Sequence, residues 1–278
     1  MGSIFMRFPG GKSKALTLSY DDGVRQDRRL IDIMKKNGLK GTFNISSGLY
    51  APKGETKGNR MSREEALELY LDSGMEIGAH GLHHAYMDQL PENLCTHEIL
   101  EDRKNLEADF GGMIRGFAYP YGATSDSVVA SLKQCGIAYA RTGVSTEQFS
   151  IPADWLRLAP TCRHRNPRLM ELASDFVNNE FLRGPGLFYL MGHSYEFDWD
   201  VPYNNWGVIE EFAEFIGNRE DIWYATNIEI YDYIAAYNQL IFSMDYTKVY
   251  NPTCSTLYFK TNKGAYCVEP GKTLCYEF

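Results

Sequence analysis

Two periodicities alternate along most of the chain. Ala15 to Tyr20 (ALTLSY) is β-forming with period-two character and runs into Asp21-Asp22-Gly23, a turn sequence, which predicts a strand followed by a loop. From Asp27 to Asn37 the apolar positions Leu30, Ile31, Ile33 and Met34 fall at helical spacing before Gly38, and Gly41 to Ile45 is again strand-like. Ser62 to Ser73 reads as a helix opened by a Ser-x-x-Glu capping box (Ser62, Glu65) and stopped at Gly74, followed by a strand over 75–79. The alternation continues: helix 92–110, strand 116–119, helix 125–135 and strand 138–141. Later come strand 187–191, helix 206–217, strand 222–225 and helix 227–238. Strands alternating with helices predict an α/β fold around a parallel sheet, open or closed into a barrel.

Beyond about residue 241 the pattern changes to short β runs at 248–250, 256–260, 265–268 and 273–278, split by Asn251-Pro252, Asn262 to Gly264 and Pro270-Gly271. The expected organisation is therefore a main domain over 1–240 and a small antiparallel β appendage over 241–278. Neither an internal repeat nor a low-complexity linker is visible.

Composition narrows the class. With 278 residues, 44% hydrophobic and 14% aromatic, the chain is neither disordered nor collagen-like. A net charge of −8 and the lack of a basic stripe argue against a nucleic-acid partner. No apolar run approaches the roughly 18 residues that a membrane-spanning helix needs. The first residues lack the continuous apolar core of a secretory signal, and Met6 stands where myristoylation of Gly2 would want Ser or Thr, so the cytoplasm is the simplest expected address. The six cysteines form no CxxC pair; most are expected to be buried thiols, with Cys254, Cys267 and Cys275 the best candidates for any disulfide.

Polar residues of catalytic type follow four predicted strands, where α/β sheets and barrels place their active sites. Adjacent carboxylates such as Asp21 and Asp22 diverge at a strand end, so one can ligate a metal while the other acts as a base; Asp-Asp-Gly is equally good turn material. His80 and His84 can reach one ion if the second opens a helix, with His83 as competitor. Glu76 lies on the strand before them and is not the base of an HExxH site. One Asp and two His leave positions open for water and substrate, as in a hydrolytic metal centre. Tyr119 to Gly122 and His193 complete the set.

SYDDG (19–23), EIGAHGLHH (76–84), FAYPYG (117–122) and LMGH (190–193) occur in order and spacing that resemble the polysaccharide deacetylases with a NodB homology domain, carbohydrate esterase family four. The resemblance runs from about residue 14 to 240. It implies a distorted (β/α) barrel of seven strands, with the β-rich tail as an addition. It also implies Asp21 as general base, His193 as general acid, the backbone N–H of Tyr121 as oxyanion donor, and Asp22, His80 and His84 as ligands of a divalent metal. That metal is usually zinc, with cobalt, nickel or manganese as alternatives.

Two positions depart from the family pattern. Gly81 replaces the Thr or Ser that braces the histidine loop, and Ala118 replaces the Arg that orients the base, leaving Arg115, Arg141, Arg157 and Arg163 as substitutes. The acidic partner of His193 is open among Glu196, Asp198 and Asp175. Tyr20, Tyr119, Tyr121, Gly122, Arg163, Tyr195 and Trp199 are candidate substrate contacts, since aromatic faces stack on sugar rings, although core or lid packing explains such rings as well. The implied activity is removal of an acetyl group from an N- or O-acetylated carbohydrate. The alternatives are an amidohydrolase acting on a small cyclic amide or other C–N bond, and a non-catalytic carbohydrate-binding relative.

Overall fold

A computed structural model describes residues 3–278. After β1 (Phe5–Arg7), the chain alternates: β2 (Lys14–Asp21), α1 (Asp27–Lys36), β3 (Gly41–Ile45), α2 (Arg63–Tyr70), β4 (Glu76–Ala79), α3 (Glu92–Phe110) and β5 (Gly116–Ala118). It continues through α4 (Asp126–Gln134), β6 (Tyr139–Arg141), β7 (Cys162–Arg163), α5 (Leu169–Asn178), β8 (Gly186–Gly192), α6 (Trp206–Ile216), β9 (Ile222–Tyr224) and α7 (Asn227–Tyr237). The tail carries β10 (Ile241–Phe242), β11 (Lys248–Tyr250), β12 (Leu257–Lys260), β13 (Ala265–Val268) and β14 (Thr273–Cys275).

Seven parallel strands lie in the order β6-β5-β4-β3-β2-β8-β7, the curled (β/α) sheet expected from the motifs. β8 flanks β2 along nearly its whole length, whereas the other side of β2 is shared: β9 pairs at Lys14 to Leu16 and β3 from Leu18 to Asp21. β2 and β8 are buried at every position; β8 accordingly reads as a near-continuous apolar run, whereas β2 alternates because Thr17, Ser19 and Asp21 meet buried polar partners. Between β6 and β7 an irregular segment stands in for ladder pairing: Leu158 bonds to Ala140 on one side and Thr161 to Tyr189 on the other. This curl brings the end of β6 back toward the end of β2.

Local chemistry sets the helix limits. Ser62 and Glu65 form both bonds of the capping box, but α2 ends at Tyr70, three residues short of the sequence expectation. α3 buries Cys95, Glu98, Ile99, Asp102 and Leu106, a face at helical spacing in which two carboxylates interrupt the apolar stripe. No helix opens at His84, which sits in a turn with φ of 53°. α5, β1 and β7 add to the expected elements.

The tail forms two antiparallel three-stranded sheets, β1-β12-β13 and β10-β11-β14, the first of which incorporates the N-terminal strand. All six cysteines are free thiols; Cys95, Cys135 and Cys162 are buried, and Cys254, Cys267 and Cys275 are exposed rather than paired. No described helix is long and apolar enough to cross a membrane.

Candidate active site

A cleft of about 430 Å³ opens where β2, β4, β5, β6, β7 and β8 end, lined by Asp21, Asp22, His80, His84, Tyr119, Tyr121, Gly122, Arg141, Arg163, His193 and Tyr195 among others. The residues singled out by sequence thus converge, with two exceptions. The alternation of β2 points Ser19 and Asp21 toward Arg141, so Tyr20 faces the other way, into the core, where its ring stacks on His164 at 5.7 Å. Trp199 is half-exposed outside the cleft lining, 6.2 Å from the Tyr195 ring. Tyr119 does double duty: it reaches the cleft, but its ring is buried and its hydroxyl donates to the Leu156 carbonyl at 2.6 Å.

Asp21, at the end of β2, is almost fully buried. Arg141 Nη2 lies 2.5 Å from each carboxylate oxygen, and Asn44 Nδ2 donates to Oδ1 at 2.9 Å. Burial opposes ionisation of Asp21, yet Arg141, His80 and His193 overcome it and hold the carboxyl well below its usual range. Arg141 therefore fills the place left by Ala118. Of the other substitutes, Arg115 pairs with Asp232, Arg157 with Asp126 and Asp154, and Arg163 lies beside His193 and Glu196.

Asp22, His80 and His84 offer ligand atoms that all lie within 4.8 Å of one another. His80 is oriented from three sides: its N–H donates to Asp102 Oδ2 (2.9 Å) and Ile45 O (3.0 Å), and its Nδ1 faces the Ala118 carbonyl at 2.8 Å. That carbonyl can only accept, so Nδ1 carries the proton and Nε2 presents a lone pair. Nε2 is buried and has no hydrogen-bond partner among the described residues. Burial also lowers the His80 pKa to about 4, keeping the imidazole neutral. An orphaned neutral ring nitrogen, a second imidazole and a carboxylate fit a divalent metal such as zinc.

The buried carboxylates of α3 brace this loop where Gly81 cannot. Asp102 accepts from Ser47 N and His80 N, and Glu98 accepts from His83 N at 2.8 Å and faces His83 Nδ1 at 2.7 Å. Gly81 has φ of 74°, a left-handed conformation that Thr or Ser adopts poorly. His83 thus points to Glu98 rather than joining the triad. Asp22, His84 and Tyr121 also have positive φ (85°, 53° and 58°), strain of roughly 1–3 kcal/mol each gathered at one site. Arg60 donates to the backbone oxygen and Oδ1 of Asp22, which holds the first of these turns.

His193 follows β8. Its Nε2 is 3.8 Å from Asp21 Oδ2, and its Nδ1 is 3.0 Å from Glu196 Oε1, so Glu196, three residues on, is the acidic partner. Asp198 instead receives bonds from Gln26 and Trp206, while Asp175 belongs to α5. Burial pulls the His193 pKa down, but the Glu196 bond and the Asp21 and Asp22 charges outweigh it and raise the pKa. Behind Glu196 lies buried His164, whose Nε2 is 3.2 Å from Oε2 and 3.0 Å from Asn204 Oδ1. Sequence reading missed His164. Beside the cleft, Tyr121 stacks on Tyr86 at 3.9 Å.

Comparison with known proteins agrees with this architecture. Residues 9–140 match the family model described as polysaccharide deacetylase. His193, Glu196, Arg141 and Arg163 lie beyond the matched stretch. A crystal structure from Mycobacterium smegmatis, classed with the polysaccharide deacetylases, superposes with a TM-score of 0.58 at 15% identity over 85% of this chain and 95% of that one, and shows the same fold. A family 4 carbohydrate esterase from Streptomyces lividans in complex with acetate gives a TM-score of 0.49 at 18% identity, covering 76% of this chain and 92% of that one. A Streptococcus pyogenes deacetylase in complex with acetate gives 0.45 at 20% identity, and the match covers 51% of this chain and 61% of that one. No curated protein matched the chain.

Proposed function

We propose that the protein is a metal-dependent hydrolase that removes an acetyl group from an N- or O-acetylated carbohydrate, with residues 1–240 as the catalytic unit and 241–278 as its appendage. The observation that carries this reading is the His80 Nε2 lone pair, buried and unpartnered in a triad of ligand type beside an ionised Asp21 and a Glu196-bound His193.

In this reading Asp22, His80 and His84 hold the metal, which when bound supplies a Lewis acid toward the acyl oxygen and acidifies water. Asp21, fixed by Arg141 and Asn44, takes a proton from the attacking water. The N–H of Tyr121, turned by its left-handed backbone, donates to the developing oxyanion, a kind of contact worth roughly 3–4 kcal/mol. His193 donates from Nε2 to the departing amine or alkoxide. Glu196 serves that step by keeping the imidazole protonated and its ring in place. A module that only binds sugar has no use for this opposed carboxylate and imidazole.

The test is acetate release from a panel of acetylated amino-sugars, their oligomers and acetylated xylo-oligosaccharides, by protein loaded with zinc and by protein stripped with a chelator. Release that depends on the metal supports the proposal. Ring-opened acid from a cyclic amide, with no acetate from any sugar, would replace it with the amidohydrolase reading.

A further inference from the structure

Arg163 ends β7, in register with Met191 of β8, and lines the cleft on the side of His193 away from the β2 and β4 ends that carry the triad. Its guanidinium is poorly matched within the protein. Nη2 lies 3.4 Å from His193 Nδ1, a nitrogen already directed at Glu196, and 3.5 Å from Glu196 Oε1, the outer limit for a hydrogen bond. Nε is buried with no partner among the described residues. The other cleft guanidinium, Arg141, is committed to Asp21, and Glu196 is already faced by His193 and His164.

A guanidinium offers a planar fork of donors that suits a carboxylate. Arg163 lines the cleft with a guanidinium that no protein carboxylate engages at short hydrogen-bond distance. We propose that Arg163 recognises an anionic group of the substrate, and that the substrate is an acylated sugar acid whose carboxylate lies on the leaving-group side of the scissile bond. One available cation matches a monoanion. A doubly charged phosphate would ask for a second, and Arg165, the next basic residue here, is directed at Glu196 from 4.0 Å. The position beside His193 assigns the carboxylate to the portion that His193 protonates rather than to the acyl group. This deepens the deacetylase reading and rests on it for which group departs; the preference for an anion stands on Arg163 alone.

The experiment is calorimetric titration of the metal-loaded protein with two pairs of N-acetylated sugars: 2-acetamido-2-deoxyglucuronic acid and its methyl ester, and the 3-O-lactyl ether of N-acetylglucosamine and its methyl ester. Acetate release is followed in parallel. The inference expects the acid of at least one pair to bind tenfold or more tighter than its ester, with the preference lost in Arg163→Gln and partly kept in Arg163→Lys. Equal binding of acid and ester in both pairs, no binding of any of the four, or a preference that survives Arg163→Gln would overturn it. If the glutamine variant does not fold, the acid-to-ester ratio of the native protein decides. Acid-selective binding without acetate release would sink the deacetylase reading and leave the anion site standing.

Discussion

Arg141 Nη2 reaches both carboxylate oxygens of Asp21 at 2.5 Å across 120 residues of chain, from the end of one sheet-edge strand to the end of a central one. Both side chains are almost wholly buried, so neither charge is at ease without the other. Removing one partner of such a pair costs about 3–5 kcal/mol, because the survivor is left unpaired in a poorly polarisable interior. Arg141→Met should lower stability by that amount and turnover by more than roughly 100-fold. Arg141→Met combined with Asp21→Asn should recover most of the stability and none of the turnover, as read by denaturant unfolding and acetate release. Simple addition of the two single losses in stability would show that the pair is not coupled.

His80→Ala removes the best-oriented member of the triad. Zinc affinity should fall by more than about 100-fold, while Asp102→Asn, which disturbs the bonds that hold the His80 and Ser47 backbone and leaves the His80 ring in place, should cost about 10- to 100-fold, as outer partners of metal ligands do. Competition with a chromogenic chelator measures both. Unchanged affinity in His80→Ala would place the metal elsewhere.

Glu196 raises the pKa of His193, and the general acid must be protonated to work. Activity therefore holds at low pH and fades as pH climbs through the His193 pKa. Glu196→Gln removes the charge that lifts this pKa, so the alkaline limb of kcat should move toward acid. At pH 8 the loss should be roughly ten- to hundredfold, and at pH 6 it should be smaller. A uniform loss at every pH would mean that Glu196 only holds the loop.

Stability should carry its own pH signature from Glu76. This buried carboxyl accepts from Thr42, Tyr139 and the N–H of Ile228, yet burial outweighs those bonds and lifts its pKa to about 7. A carboxyl raised above its unfolded value of about 4.3 binds its proton more tightly in the folded state, so its contribution weakens between about pH 4.3 and 7 as pH rises. Glu76→Gln, which keeps the acceptor, should lose that decline. Thermal melts of both proteins from pH 4.5 to 8 should diverge in favour of the glutamine variant at the alkaline end; parallel curves would contradict the assignment.

Strands and helices with strong periodicity were readable from the chain alone. The helix over 92–110 and the strand over 41–45 coincide with α3 and β3 in the folded protein. β1 and β7 have only three and two residues, too short for any periodic signal. The metal-site candidates were legible because Asp21-Asp22, His80 and His84 each follow a strand end. The partners of that site were not, since they meet only after the sheet curls: nothing in the sequence separates Arg141 from the other three arginines, and only the fold carries its side chain from the end of β6 to Asp21. Tyr20 shows the reverse error. A single residue in a strand reverses its face, and adjacency to Asp21 in sequence put it on the wrong side of β2. His164 lay in no recognisable motif, and only the close approach to Gly192, where a Cβ would overlap the imidazole, marks how tightly it is packed behind Glu196.

The most direct test of the central claim is acetate release by the zinc-loaded Asp21→Asn variant, with its metal content measured in the same sample. The proposed chemistry predicts a full complement of zinc, held by Asp22, His80 and His84, and turnover lower by roughly 100-fold or more, the scale of a lost general base. Native turnover at full zinc occupancy would contradict it.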